Sequence, residues 1–192
     1  MSSSCIPFGM FKIHPSQAFF ESKLVLGIVN IKPIVPGHVL VIPKRVVARF
    51  GDLTKEEVVD LWLSVHAIGP TLEKYMHASA LNIAIQDGAA SGQSVPHVHV
   101  HLLPRKEGDF ARNDDIYELL EKQHLHHEFN QLPTSTEAAT VLSATVKGGA
   151  ELLKKRFDDE RRPRTLDEMA AEASLFRTLF PDNKPAEPLT PT

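Results

Sequence analysis

The sequence predicts an α+β fold in which an antiparallel sheet of about five strands is covered by one long helix. Three observations carry this expectation. Short runs of branched apolar residues are bounded by proline and glycine turns, one long stretch has apolar residues at helical spacing, and histidine alternates with valine through His97-Val98-His99-Val100-His101. Alternation with period two is strand geometry, whereas apolar residues recurring every three or four positions are helix geometry.

Residues 23–29 are rich in branched apolar side chains and stop at Asn30-Ile31-Lys32-Pro33, and residues 38–42 form a second run bounded by Pro36-Gly37 and Pro43. These predict two antiparallel strands joined by a proline-rich turn. Thr54-Lys55-Glu56-Glu57 matches a capping box, and Val58, Leu61, Trp62, Val65, Ile68, Leu72, Tyr75 and Met76 follow on one helical face. A helix over 54–76 is expected, with an irregularity at Gly69-Pro70. Leu81, Ile83 and Ile85 alternate with Asn82, Ala84 and Gln86, which reads as a half-buried strand with Gln86 on its polar side. The small residues of Asp87-Gly88-Ala89-Ala90-Ser91-Gly92-Gln93-Ser94 then form a loop whose backbone N–H groups can approach an anion.

Further on, Asn113-Asp114 predicts the cap of a helix running through Gln123. Thr165-Leu166-Asp167-Glu168 is a second capping box, ahead of Met169, Ala170, Ala173, Phe176 and Phe180. Between them, residues 129–163 pass from a Pro/Ser/Thr/Ala-rich stretch to a charged run. They are expected to form a mobile insertion with a transient helix near 150–157.

With 192 residues, 42% of them hydrophobic, and a net charge of -3, the chain suits one globular domain and offers no global basic field for nucleic acid. No nucleic-acid polymer is expected as a partner. The single cysteine, Cys5, forbids an intrachain disulfide. No apolar run approaches the ~20 residues that cross a bilayer, so no membrane partner is expected. The reading is a cytoplasmic or nuclear protein.

On a strand the three imidazoles share one face, and residues two apart sit roughly 6.5 to 7 Å from each other. One tetrahedral phosphate can then touch the middle ring and a neighbour. A neutral imidazole attacks phosphorus to give a phosphohistidine, which water later cleaves, so one difficult hydrolysis becomes two easier displacements. His99 is the natural nucleophile, flanked by His97 and His101, which can orient it, hold phosphate oxygens or pass a proton to the leaving group. Alternating histidines also ligate zinc, although zinc would leave the adjacent Gly/Ser/Gln loop unexplained. His66, His77, His124, His126 and His127 read as ordinary helix and helix-end residues.

The motifs Asn30 to Val41, Gln86-Asp87-Gly88, Gly92-Gln93 and Val95-Pro96-His97-Val98-His99-Val100-His101, with Pro104-Arg105-Lys106, resemble the histidine triad superfamily. They are most similar to its fragile histidine triad branch, the dinucleoside polyphosphate hydrolases, and especially to fungal members. The resemblance implies a histidine-triad-like fold divided into a core at 1–127, a flexible insertion at 128–163, a C-terminal helix at 164–181 completing the domain, and a disordered tail at 182–192. It implies cleavage of diadenosine triphosphate to AMP and ADP, or of the tetraphosphate to AMP and ATP, through a covalent adenylyl-histidine. His99 would be the nucleophile, His101 would contact phosphate and help protonate the leaving group, and His97 and His38 would orient the nucleophile. Asn30 would bind ribose and Gln86 the scissile phosphate region, while Gly92, Gln93, Ser94 and Val95 would form the phosphate loop.

No metal site on the protein is implied. A divalent cation, magnesium or manganese, would travel with the substrate. Homodimers with joined sheets are also implied. Arg105, Lys106 and Arg112 are either sources of positive potential or ordinary surface charge, and Tyr117 reads as a partly buried packing residue. A nucleotide-binding signalling protein, or a nucleoside phosphoramidase with slow turnover, stays open as the alternative.

Overall fold

The computed structural model describes residues 5–122, 162–183 and 185. Strands β3 (Ala18–Glu21), β4 (Val25–Val29), β5 (Val39–Pro43), β6 (Ala80–Ile85) and β7 (Val100–Arg105) form one antiparallel five-stranded sheet in the order β3-β4-β5-β7-β6. The expected pair at 23–29 and 38–42 is β4 and β5, in register from Val25 opposite Pro43 to Val29 opposite Val39. Ahead of the sheet, β1 (Ile6–Phe8) and β2 (Phe11–Ile13) make a separate hairpin that the sequence pattern does not announce.

Helix α1 (Lys55–Tyr75) begins at the anticipated capping box, in which the Thr54 hydroxyl accepts from the Glu57 amide and the Glu57 carboxylate accepts from the Thr54 amide. The irregularity expected at Gly69-Pro70 is absent, and the helix runs through Pro70. Pro70 and His66 both lie on the exposed side, so water can serve the carbonyl that the missing N–H abandons. Gly69 has its own reason, because a Cβ there would lie 2.7 Å from Leu81 Cδ2. The glycine lets α1 lie close against β6.

Leu61, Val65, Ile68 and Leu72 of α1 share one buried cluster with Val98, Val100 and Leu102. By strand alternation His101 and Leu103 take the opposite face, where Leu103 packs with Ile116, Leu119 and Leu120 of α2 (Asp115–Glu121). Asp114 precedes α2 but makes no side-chain cap, contrary to expectation, and Asn113 instead accepts from Arg105. Tyr117 on α2 is 51% exposed, which overturns the packing reading. Helix α3 (Leu166–Arg177) starts at the second predicted capping box, and its Phe176 meets Phe19 edge-on. The insertion expected at 128–163 and the tail at 182–192 fall largely outside the described residues, as do His124, His126 and His127.

Candidate active site

The histidine run does not form one continuous strand, since β7 begins only at Val100. The chain turns tightly before it, with the His97 amide donating to the Val95 carbonyl at 2.7 Å and the Val98 amide donating to the Val47 carbonyl at 2.7 Å. Those bonds withdraw two amides from any ladder, so His97 and His99 stand on an extended lead-in and only His101 is in the sheet. All three rings, and His38, are buried.

Hydrogen bonds define the protonation of each ring. His97 Nδ1 accepts from the Gly9 amide at 3.0 Å, which leaves its Nε2–H to donate to the Pro43 carbonyl at 2.9 Å. His99 Nδ1–H donates to the His97 carbonyl at 2.7 Å, so its Nε2 keeps a free lone pair. His38 Nδ1 accepts from the Ile34 amide at 3.1 Å, and its Nε2–H donates to His101 Nδ1 at 3.0 Å. The proton on His101 is thereby placed on Nε2, which is the only buried side-chain polar atom without a partner among the described residues. A lone pair on one ring and an N–H on the next, with ring centroids 4.9 Å apart, supply a nucleophile beside a hydrogen-bond donor.

Burial keeps His97, His99 and His101 neutral. It pushes His97 down to about 4, aided by neighbouring His99 and opposed by the Pro43 carbonyl. Burial likewise lowers His99, and it lowers His101 well below the ordinary imidazole range with help from His99 and His38. The unfolded chain therefore takes up protons below pH ~6.5 that the folded chain refuses, and stability present above that pH is lost as the solution is acidified. For His97 alone the loss should reach about 2 kcal/mol between about pH 7 and about pH 5, with His99 and His101 adding in the same direction. Urea unfolding at those two pH values checks this, and equal free energies would contradict it.

With both His97 nitrogens committed, the three rings cannot all ligate one zinc ion without breaking the site's anchors. Among the described residues no grouping of three or more His, Cys, Asp or Glu is arranged to hold a metal ion.

The other expected residues gather around the triad in different ways. Asn30 is buried with its Nδ2 at 3.3 Å from His38 Nε2, and its Oδ1 accepts from the Lys32 amide. Gly88 and Gly92 both have positive φ, Gly92 in the left-handed helical conformation, and a Cβ on Gly92 would come within 2.6 Å of Gln86 Nε2. The structure thus joins Gln86 to the loop, and its Nε2 also donates to the Leu120 carbonyl. Gln93 is spent on main chain: Oε1 accepts from the Gly88 amide, and Nε2 donates to the Ala48 carbonyl and, at 3.5 Å, to the His97 carbonyl. Val95 is buried in the core, while Ser94 is half-buried. Arg105 is consumed by Asp109, Asn82 and Asn113, and Arg112 by Asp115 and Glu118, so neither is an uncommitted cation for substrate. Lys106 is exposed.

Sequence reasoning missed the hairpin's part in the site. Phe8 packs its ring on His97 and edge-on against His99, with centroids 5.3 and 5.5 Å away, and Gly9 supplies the amide that sets the His97 tautomer. The available signal was Gly9-Met10 between two short apolar runs, and Pro7 weakens it.

A five-stranded sheet with a long helix on one face and interlocked histidines against the other defines a histidine triad protein. The chain belongs to the HIT domain family, whose model matches residues 12–108. It is 43% identical over 182 residues to the bifunctional bis(5'-adenosyl)-triphosphatase/adenylylsulfatase FHIT of Arabidopsis thaliana, covering 94% of this chain and 88% of that one. It is 44% identical over 172 residues to the asymmetrical bis(5'-nucleosyl)-tetraphosphatase of Schizosaccharomyces pombe, covering 90% and 93%. The crystal structure of the C. elegans NitFhit protein superposes with a TM-score of 0.64 at 30% identity, over 94% of this chain and 31% of that one.

Proposed function

We propose that this protein hydrolyses dinucleoside polyphosphates, with diadenosine triphosphate giving AMP and ADP and the tetraphosphate giving AMP and ATP. The observation that carries the reading is the tautomer chain that leaves His99 Nε2 unprotonated beside a protonated, unpartnered His101 Nε2. The substrate class comes from the activities for which the Arabidopsis and fission yeast relatives are named.

His99 Nε2 attacks the α-phosphorus and forms a P–N bond as the P–O bond to the second phosphate breaks. The departing oxygen leaves as a phosphate oxyanion, and the His101 Nε2–H donates a hydrogen bond to it. Water then attacks the same phosphorus, the P–N bond breaks to return its electron pair to His99 Nε2 and release AMP, and the water's proton passes to solvent. His97 and His38 hold the tautomers throughout. Asn30 meets the ribose, and Gln86 with the loop from Gly92 to Val95 meets the phosphates, Gln93 shaping that loop through a side chain and a backbone amide that both bond within the chain. Magnesium or manganese rides on the substrate, where it offsets polyphosphate charge. Hydrolysis in heavy-oxygen water tests the scheme, since the label must appear in AMP and not in ADP. Label in ADP, or no cleavage, would refute it.

The protein acts as a homodimer in this reading. Strand β6 is an outer strand of the sheet, and Ile83 on it is half-exposed. Light scattering should give twice the chain mass, and Ile83→Lys, which sets like charges across a two-fold axis, should shift the population toward monomer. A wild-type protein of single-chain mass would overturn the dimer. The cytosol or nucleus suits a chain whose one cysteine, Cys5, has no second cysteine with which to form a disulfide.

A further inference from the structure

Arg164 comes 65 positions after His99 in the chain, yet its side chain is spent on a backbone atom of the site. Its Nε donates to the Asn30 carbonyl at 3.0 Å, and its Nη2 donates to the same oxygen. Its own amide donates to the Ile31 carbonyl at 2.8 Å, and its Nη1 is held by Glu172 of α3 at 2.6 Å. Asn30 and Ile31 lie where the chain leaves β4 for the Lys32-Pro33 turn, so their carbonyls have passed beyond the sheet ladder. One residue takes both. The Arg164 and Glu172 side chains are only 16% and 22% exposed, which separates this pair from solvated surface ion pairs.

The Asn30 side chain has little slack. Its Oδ1 accepts from the Lys32 amide and its Nδ2 lies against the His38 ring, which in turn donates to His101. A rotation of the peptide between Asn30 and Ile31 therefore moves the amide that faces the nucleoside. We infer that Arg164, braced by Glu172, is a positioning residue that holds the Asn30 main chain and so sets the nucleoside end of the site. The inference rests on the reading that Asn30 contacts the ribose.

Arg177, at the other end of the same helix, provides the comparison. It donates to the carbonyls of Pro15, Ser16 and Ala18 and so anchors α3 at a place that makes no contact with the triad. Steady-state kinetics with diadenosine triphosphate should show Arg164→Ala raising KM about tenfold, with kcat changed by less than about threefold. Arg164→Lys should recover part of the loss, because one donor to the Asn30 carbonyl returns without the fork. Should Arg164→Ala fail to fold, Arg164→Lys and Arg164→Gln carry the same comparison. Arg177→Ala should lower Tm and leave KM in place, and Arg164→Ala should add nothing in an Asn30→Ala background. If Arg177→Ala moves KM as far as Arg164→Ala does, Arg164 merely docks the helix and the inference falls. It falls equally if Asn30→Ala raises KM and Arg164→Ala does not. A KM indifferent to Asn30→Ala would sink both this inference and the ribose reading.

Discussion

Replacing His99 with asparagine should lower kcat by roughly 10⁴-fold or more while the dinucleotide still binds. The size follows from the role, because no other ring can take over. His97 has both nitrogens engaged with Gly9 and Pro43, and His101 presents a proton at Nε2 where His99 presents a lone pair. Asparagine is the informative substitution because its side-chain NH₂ sits where Nδ1–H sat. It can still donate to the His97 carbonyl that His99 bonds at 2.7 Å, so the buried acceptor stays satisfied and the fold should not suffer. Product chromatography gives the rate and calorimetric titration with diadenosine triphosphate gives the affinity. A variant that kept a few per cent of wild-type turnover would show that water attacks directly and that the covalent step is wrong. If binding vanished along with turnover, His99 would be contributing ground-state contacts beyond attack.

Much of this site is legible in residue order alone, and the reasons differ by element. Capping boxes at Thr54 and Thr165 are local chemistry, so both helix starts fall where the sequence places them. The alternation in 81–86 and the paired apolar runs at 23–29 and 38–42 are likewise local, and the sheet preserves them. What residue order does not display is the direction of each proton. His97 as an acceptor from Gly9, and His38 as a donor to His101, depend on contacts spanning 88 and 63 positions. Long-range bonds also explain the departures from expectation. Strand β7 is shorter than the histidine alternation suggests because Val98 pairs with Val47 outside the ladder, and Asn113 fails to cap α2 because Arg105 claims its oxygen. Gln93 illustrates a subtler point: its type suggests a substrate contact, but its amide closes the loop on itself.

The hairpin missed from the sequence carries the second large effect. Phe8→Ala should cost about 3 to 5 kcal/mol of stability, the range for deleting a fully buried aromatic ring. It should also depress kcat in the molecules that remain folded. Phe8 is completely buried, and its ring is the wall against which His97 and His99 stand. Removing it leaves a void beside the nucleophile and loosens the hairpin whose Gly9 amide sets the His97 tautomer. The consequences run in one direction: an unanchored His97 can turn, its carbonyl shifts, and the His99 lone pair no longer points at phosphorus. Phe176→Ala separates the two effects, because Phe176 is equally buried but packs on Phe19 and Tyr75 across the sheet from the triad. Both variants should lose comparable stability in urea. At a temperature where both stay folded, kcat should fall about tenfold or more for Phe8→Ala and hold for Phe176→Ala. Equal kcat in the two variants would mean that the hairpin only seals the core and that the triad orients itself without it.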